Sequence, residues 1–399
     1  MAERPTADTT DWGLLDPLAG SAAVTSDDAV LEALVDVERG LVRAWARVLH
    51  EDLDDVADAL RPEHLDRGDL IAGARAGGVP VISLVAQLRV RAEAVVPGSG
   101  PRVHAGATSQ DILDTALVLV ARRALGDARE RLVAAGHSLV DLATAEKRTL
   151  SIARTLGQHA AQSTVGVAVA GWLDGVTAAI DAIDTVPYPV QLGGAVGSGE
   201  DFDRTADSVN TTDSLRAALA GTLALDDPGR SWHSERSPIL RIASSSALVV
   251  TALGRIGKDV AFLARTEIAE VSLGTTGGSS AMPHKRNPVD AVLLSANGLR
   301  AAGLIGTVHT AAVSQDARPA GEWHAEWSAF RALLRLAVES ADAAASMLAA
   351  LEVNRSAAEL NRLLSPDLER DPEATFAASE RIVGSAHRRF LATAQKESR

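Results

Sequence analysis

Long gaps between prolines run through the middle and later parts of this chain, and they constrain its fold more than any other feature. Proline removes a backbone donor and clashes with the preceding helical turn, so helix interiors exclude it. The 15 prolines of the 399 residues leave long gaps from Pro101 to Pro187, Pro238 to Pro283, Pro288 to Pro319 and Pro319 to Pro366. Those gaps are rich in Ala, Leu and Arg, which are good helix formers. Apolar positions recur there at helical spacing, as in Ile112, Thr115, Ala116, Leu119 and Val120. Single helices of about 25 residues or more fit several windows. The pattern predicts an all-α bundle of long helices, with segments near 161–186, 238–270 and 288–317 at its centre. Faces that are apolar nearly all round predict burial against other subunits.

Residues 1–100 read as a shorter helical domain, in which Ser26-Asp27-Asp28 caps a helix burying Leu31, Leu34, Val35, Leu41, Val42 and Trp45. Residues 101–352 form the predicted central bundle, and 353–399 a short, charged helical segment. With 52 acidic against 39 basic residues the net charge is −13, which argues against nucleic-acid or membrane-surface partners. No cysteine is present, so disulfides, thiolate metal sites and cysteine nucleophiles are excluded. The start, Met1-Ala2-Glu3-Arg4-Pro5-Thr6-Ala7-Asp8, lacks the apolar core of a signal peptide. The longest charge-poor stretch, Thr155 to Leu173, contains Gln158, His159, Gln162, Ser163 and Thr164 and is a poor membrane span. A cytoplasmic, soluble protein is expected.

Three constellations carry chemistry. The run Gly277-Gly278-Ser279-Ser280-Ala281-Met282-Pro283-His284-Lys285-Arg286-Asn287-Pro288 combines flexible glycines, hydroxyls, a fixed cation and an amide. Such parts suit removal of a carbon-bound proton: a serine alkoxide needs a cation nearby, and Lys285 with Asn287 could hold enolate-like charge. The plainer alternative is a surface loop leading into a helix with Pro288 in its first turn. His104-Ala105-Gly106-Ala107-Thr108-Ser109-Gln110-Asp111 precedes a long helix, where hydroxyls and free backbone N–H groups can hold a carboxylate; ordinary capping is an equal reading. Thr155-Leu156-Gly157-Gln158-His159-Ala160 places a histidine in what reads as an apolar helical stretch, where a core role competes with catalysis. The cluster Gly193 to Gly199 has the wrong glycine order for a dinucleotide loop, and Gly274 to Ser280 lacks a P-loop ending.

The first run resembles the signature GSSxMPxKxNP of the fumarase/aspartase superfamily, with every fixed position filled. The other two strings resemble that superfamily's first and second regions. The resemblance implies an all-α, three-part fold, a homotetramer with active sites shared between subunits, and no metal or organic cofactor. It implies Ser279 as catalytic base, Lys285 and Asn287 polarising substrate carboxylate, and His159, Gln158, Thr108 and Ser109 orienting carboxylates. Ser280 and Met282 are carried as substrate-binding members of the same string.

The chain departs from most of the superfamily at two places. A histidine usually follows the threonine of the second region, and a glutamate usually stands five residues after the signature asparagine; here those positions are Leu156 and Val292. That pair protonates or orients amine and water leaving groups, which leave badly without a proton. A carboxylate, with a pKa of about 4, leaves unaided. The chain is therefore similar to the 3-carboxy-cis,cis-muconate cycloisomerase branch, which closes or opens a lactone next to a carboxylate. Trp232-His233-Ser234-Glu235-Arg236 and Trp323-His324-Ala325-Glu326-Trp327 resemble further elements of that branch. They suggest Arg236 as a clamp on a di- or tricarboxylate substrate, or else a surface arginine at a helix start, and packing for Trp327. Ser237 stands where the branch has an acid, and the chain ends about fifty residues earlier. A lyase expelling another weakly basic anion, such as nitrite from nitrosuccinate, fits the missing pair equally; adenylosuccinate lyase fits less well.

Overall fold

A computed structural model describes residues 15–18, 20, 22–274, 282 and 285–396. Its frame is a set of long helices: α5 (Ser109–Ala145), α6 (Val165–Thr185), α9 (Ser237–Leu263), α10 (Val289–Ala311) and α11 (Glu322–Ala349). The proline gaps predicted all of these. Ile112, Thr115, Ala116, Leu119 and Val120 all point inward from α5. Glycines let α9 and α10 cross closely: a Cβ on Gly254 would stand 3.0 Å from Cα of Gly298, and one on Gly257 only 2.6 Å from the Ala291 carbonyl.

Around the frame lie α1 (Asp27–Leu49), α2 (Asp54–Ala59), α3 (Arg67–Gly77), α4 (Val81–Val95), α7 (Glu200–Ala206), α8 (Thr211–Leu223), α12 (Arg355–Leu363) and α13 (Pro372–Ala394). Ser26 caps α1 by accepting from Ala29 N–H, as its type and position predict. Trp45 of α1 is fully buried and donates from Nε1 to the Ala105 carbonyl at 3.0 Å, tying α1 to the segment that launches α5.

Two short antiparallel strand pairs depart from the all-helical reading. Strands β1 (Leu150–Thr155) and β2 (Gln158–Thr164) pair antiparallel, and β3 (Val271–Leu273) pairs with β4 (Leu351–Val353). Gln158 and His159 therefore lie on a strand, not in a helix. The turn residues Leu156 and Gly157 both have positive φ, 52° and 80°, the backbone of a tight two-residue hairpin. The segment 161–186 also starts later as helix, at Val165, because its first residues complete this ladder.

By length and composition α6, α9 and α10 could each cross a membrane. On α10 much of the apolar surface is uncovered in the single chain: Val292 is 53% exposed and Leu299 67%.

Within α11, Glu339 is fully buried and neither carboxylate oxygen has a partner among the described residues. Burial pushes its pKa up to about 7, Asp16 adds to the shift, and Arg335 and Arg300 oppose it. The folded state thus holds a proton that the unfolded chain loses near pH 4.5, so stability falls as pH rises to about 7 and levels off above it. Glu339→Met is expected to add about 2–3 kcal/mol above that pH and less near pH 5. Unfolding curves at both pH values check this; an equal gain at both would rule out the titration.

Candidate functional site

The first constellation is assembled at the start of α5. Thr108 is the N-cap residue, with extended backbone (φ −117°, ψ 161°), and Asp111 accepts from its N–H at 3.0 Å. Gly106, at φ 72°, passes so close to Phe202 that a Cβ would lie 2.7 Å from the ring. Asp111 is fully buried. It also accepts from the N–H groups of Gly193 (2.8 Å) and Gly194 (3.0 Å), from Gln191 Nε2 (3.3 Å) and from His233 Nε2 (3.0 Å). The glycine cluster 193–199 is thus a turn wrapped on a carboxylate, consistent with its failure as a nucleotide motif.

Arg318, in the segment between α10 and α11, completes this end. Its Nη2 donates to Thr108 Oγ1 at 2.6 Å and its Nε to Gln110 Oε1 at 3.3 Å. A hydroxyl pair (Thr108, Ser109), the N-terminal end of α5 and a guanidinium together form an anion cradle. Sequence reading missed Arg318, since nothing in Gln315-Asp316-Ala317-Arg318 marks it apart from any loop cation. Nearby, burial favours a neutral His104, but Glu38 at 2.7 Å more than offsets this and holds its pKa above the ordinary value.

Arg236 is not available to the substrate. Asp114 takes its Nη1 (2.6 Å) and Nη2 (3.2 Å), Glu326 takes Nε (3.2 Å) and Nη2, and the His233 carbonyl takes Nη1 (3.3 Å). Every N–H of the guanidinium is directed at an internal acceptor, and the side chain is buried. The alternative of a surface arginine fails as well. The Trp-His-Ala-Glu-Trp string supplies this lock: Glu326 binds Arg236, Trp323 Nε1 donates to Asp114 at 2.9 Å, and Trp327 packs edge-on against Trp323.

The second constellation sits at the far end of α5. His159 pairs across the hairpin with Arg154, next to a register irregularity that re-aims the strand. Its Nδ1 lies 2.8 Å from Ser365 Oγ, while Gln158 is exposed. Leu156, at the position of the usual histidine, projects fully into solvent from the turn. Arg154 donates to Glu270 at 2.6 Å, immediately before β3, so the chain entering the third constellation leaves from this same end.

Of that third run, Met282, Lys285, Arg286, Asn287 and Pro288 are described; Ser279 and Ser280 lie outside the described residues. Lys285 is exposed, with its N–H donating to the Met282 carbonyl at 3.0 Å, and Asn287 is half-buried just before α10. Val292 faces outward on the first turns of α10.

One chain does not bring the three constellations together. The 37 residues of α5, spanning about 55 Å at 1.5 Å per residue, separate Thr108 from the hairpin. The hairpin and the third run share one end; the anion cradle occupies the other.

Against known proteins, a lyase family model matches residues 81–303. A nitrosuccinate lyase of Streptomyces davaonensis is 38% identical, the match covering 96% of this chain and 83% of that one. A 3-carboxy-cis,cis-muconate cycloisomerase of Pseudomonas aeruginosa is 34% identical over 90% of this chain and 79% of that one. The crystal structure of 3-carboxy-cis,cis-muconate lactonizing enzyme from Pseudomonas putida superimposes with a TM-score of 0.77 at 30% identity, covering 94% of this chain and 87% of that one.

Proposed function

The chain belongs to the lyase family, within the fumarase/aspartase superfamily, and from that premise we propose that it moves a weakly basic oxyanion on or off a carboxylate-flanked carbon–carbon bond. The observation that carries this reading is the inert pair Leu156 and Val292, both exposed, where a proton relay for a basic leaving group would stand. Without a general acid, only an anion that is stable unprotonated can leave or attack.

The specific reaction we infer is interconversion of 3-carboxy-cis,cis-muconate and 4-carboxymuconolactone. A substrate carboxylate oxygen forms a bond to the double bond's far carbon. The electron pair moves toward the carbon next to another carboxylate, where Lys285 and Asn287 hold the charge. Ser279 delivers the proton to that carbon, and His159 and Gln158 orient the substrate. Thr108, Ser109 and Arg318 hold a carboxylate, Arg318 taking the role first given to Arg236. No metal or organic cofactor enters these steps.

A second reading, elimination of nitrite from nitrosuccinate, has specific support. The nitrosuccinate lyase matches nearly the whole chain, and with Arg236 internally paired, Arg318 and Lys285 suit two carboxylates better than three. One assay separates the two: loss of diene absorbance from 3-carboxy-cis,cis-muconate against release of nitrite from nitrosuccinate. Turnover of nitrosuccinate alone would replace the first reading with the second, and turnover of neither would remove both.

We also propose a homotetramer, because α5 holds the two halves of the site apart and the exposed apolar face of α10 suits another copy. The exposed polar residues Arg300 and His309 along α10 fit a subunit contact better than lipid. Light scattering should return a mass near four times 41.5 kDa; a monomer with full activity would reject the shared site. Replacing Arg318 by Gln is expected to raise KM about 10- to 100-fold with a smaller change in kcat, the worth of a charged hydrogen bond made before and during reaction.

A further inference from the structure

His233 lies behind the turn 193–199, almost wholly buried, with Nε2 facing Asp111 Oδ1. That carboxylate accepts from Thr108, Gln191, Gly193 and Gly194, so the hydrogen of the His233 contact belongs to Nε2. The lone pair is then on Nδ1, which is buried without a partner among the described residues. Nδ1 faces Gly197, where a Cβ would lie 3.4 Å away, and His233 lines a pocket of about 140 Å³ with Val196, Ser231 and Ala317. Ala317 adjoins Arg318, so this pocket backs onto the anion cradle.

We propose that the His233–Asp111 pair sets the anion affinity of the cradle, His233 taking up a solvent proton on Nδ1 when a carboxylate binds. The inference rests on the reading of Thr108, Ser109 and Arg318 as the carboxylate site. Asp111 accepts from Thr108 N–H, which places its carboxylate directly behind the groups that must hold an anion. In a buried setting that like charge weakens binding. A proton on His233 pairs the charge and leaves Arg318 and the helix end to act on the ligand. The other charged groups here are already engaged: Asp114 and Glu326 with Arg236, Glu235 with Arg230, Glu38 with His104, and Asp201 with Arg204 and the Ala195 N–H. His104 also feels Asp111 and is the rival titrating group. His233 is thus a positioning residue.

The test is binding of succinate, a dicarboxylate with no leaving group, to the assembled protein by calorimetry between about pH 6 and pH 8.5, where an imidazole titrates. Affinity should fall roughly tenfold across that range, about one pKa unit of linkage. Heats in buffers of different ionisation enthalpy should show uptake that peaks at about half a proton, as one pKa unit of linkage requires. His233→Gln keeps a donor toward Asp111 and should give flat affinity with no uptake, whereas His104→Gln should behave as the wild type. A pH dependence that persists in His233→Gln overturns the inference. So does absence of proton uptake in the wild type, which decides the matter even if the variant does not fold. Binding untouched by Thr108→Val combined with Arg318→Gln would instead take down the cradle reading, and this inference with it.

Discussion

Ser279→Ala will leave the protein folded and assembled and lower turnover by at least ~10², the lower end of what a positioned proton-transfer group contributes. The run that carries Ser279 is anchored on both sides. Before it, β3 pairs with β4 and Gly274 N–H donates to the Ala350 carbonyl. After it, Lys285 N–H donates to the Met282 carbonyl, and Val289 N–H to the Asn287 carbonyl at the start of α10. Those contacts do not involve the Ser279 hydroxyl, so removing one oxygen should spare stability. In the proposed reaction Ser279 alone is assigned the proton transfer: Leu156 and Val292 cannot move a proton, and Lys285 is assigned the fixed charge. Substrate binding should be nearly unchanged, so the loss should fall on kcat. Activity within tenfold of wild type, with the same thermal midpoint, would remove Ser279 as the proton carrier.

The long helices were legible because proline exclusion and helical spacing are local properties that packing did not override. The segments 238–270 and 288–317 became Ser237–Leu263 and Val289–Ala311; each reading overruns the helix end because alanines (Ala264 and Ala269, Ala312 and Ala317) and the lack of proline continue past the residue where the chain turns. The hairpin was missed for a related reason. Val165 onward is a true apolar helix, and its pattern was extended backward over Gln158 and His159. The two-residue turn Leu156-Gly157 was the available signal, since an X-Gly step between short β-compatible runs is a hairpin cue. Roles that depend on distant partners could not be read from spacing. The sequence suggests a clamp at Arg236, whereas Asp114, 122 residues away, and Glu326, 90 residues away, hold its guanidinium. Arg318 gained its place only through contact with Thr108, 210 residues away.

The same long-range lock yields the largest expected loss of stability. Arg236 lies between Asp114 and Glu326, all of them buried, with Trp323 Nε1 also donating to Asp114. Burial works against the guanidinium's charge, but the two carboxylates more than restore it and hold its pKa above the ordinary value. Burial also lifts Glu326 above the usual carboxylate range; Arg236 pulls it back only in part, and Asp114 adds to the lift. Arg236 is thus held in its charged form between the two carboxylates. Arg236→Met would then leave two buried carboxylates facing each other without a cation, at a cost of about 3–5 kcal/mol. Adding Glu326→Gln should return part of that loss, because the second uncompensated charge goes with it, whereas Glu326→Gln alone leaves Arg236 with Asp114 and should cost less. Denaturant unfolding of the three variants measures the pattern. If Arg236 were a substrate clamp, Arg236→Met would raise KM at an unchanged unfolding midpoint, and that result would return the residue to the binding site.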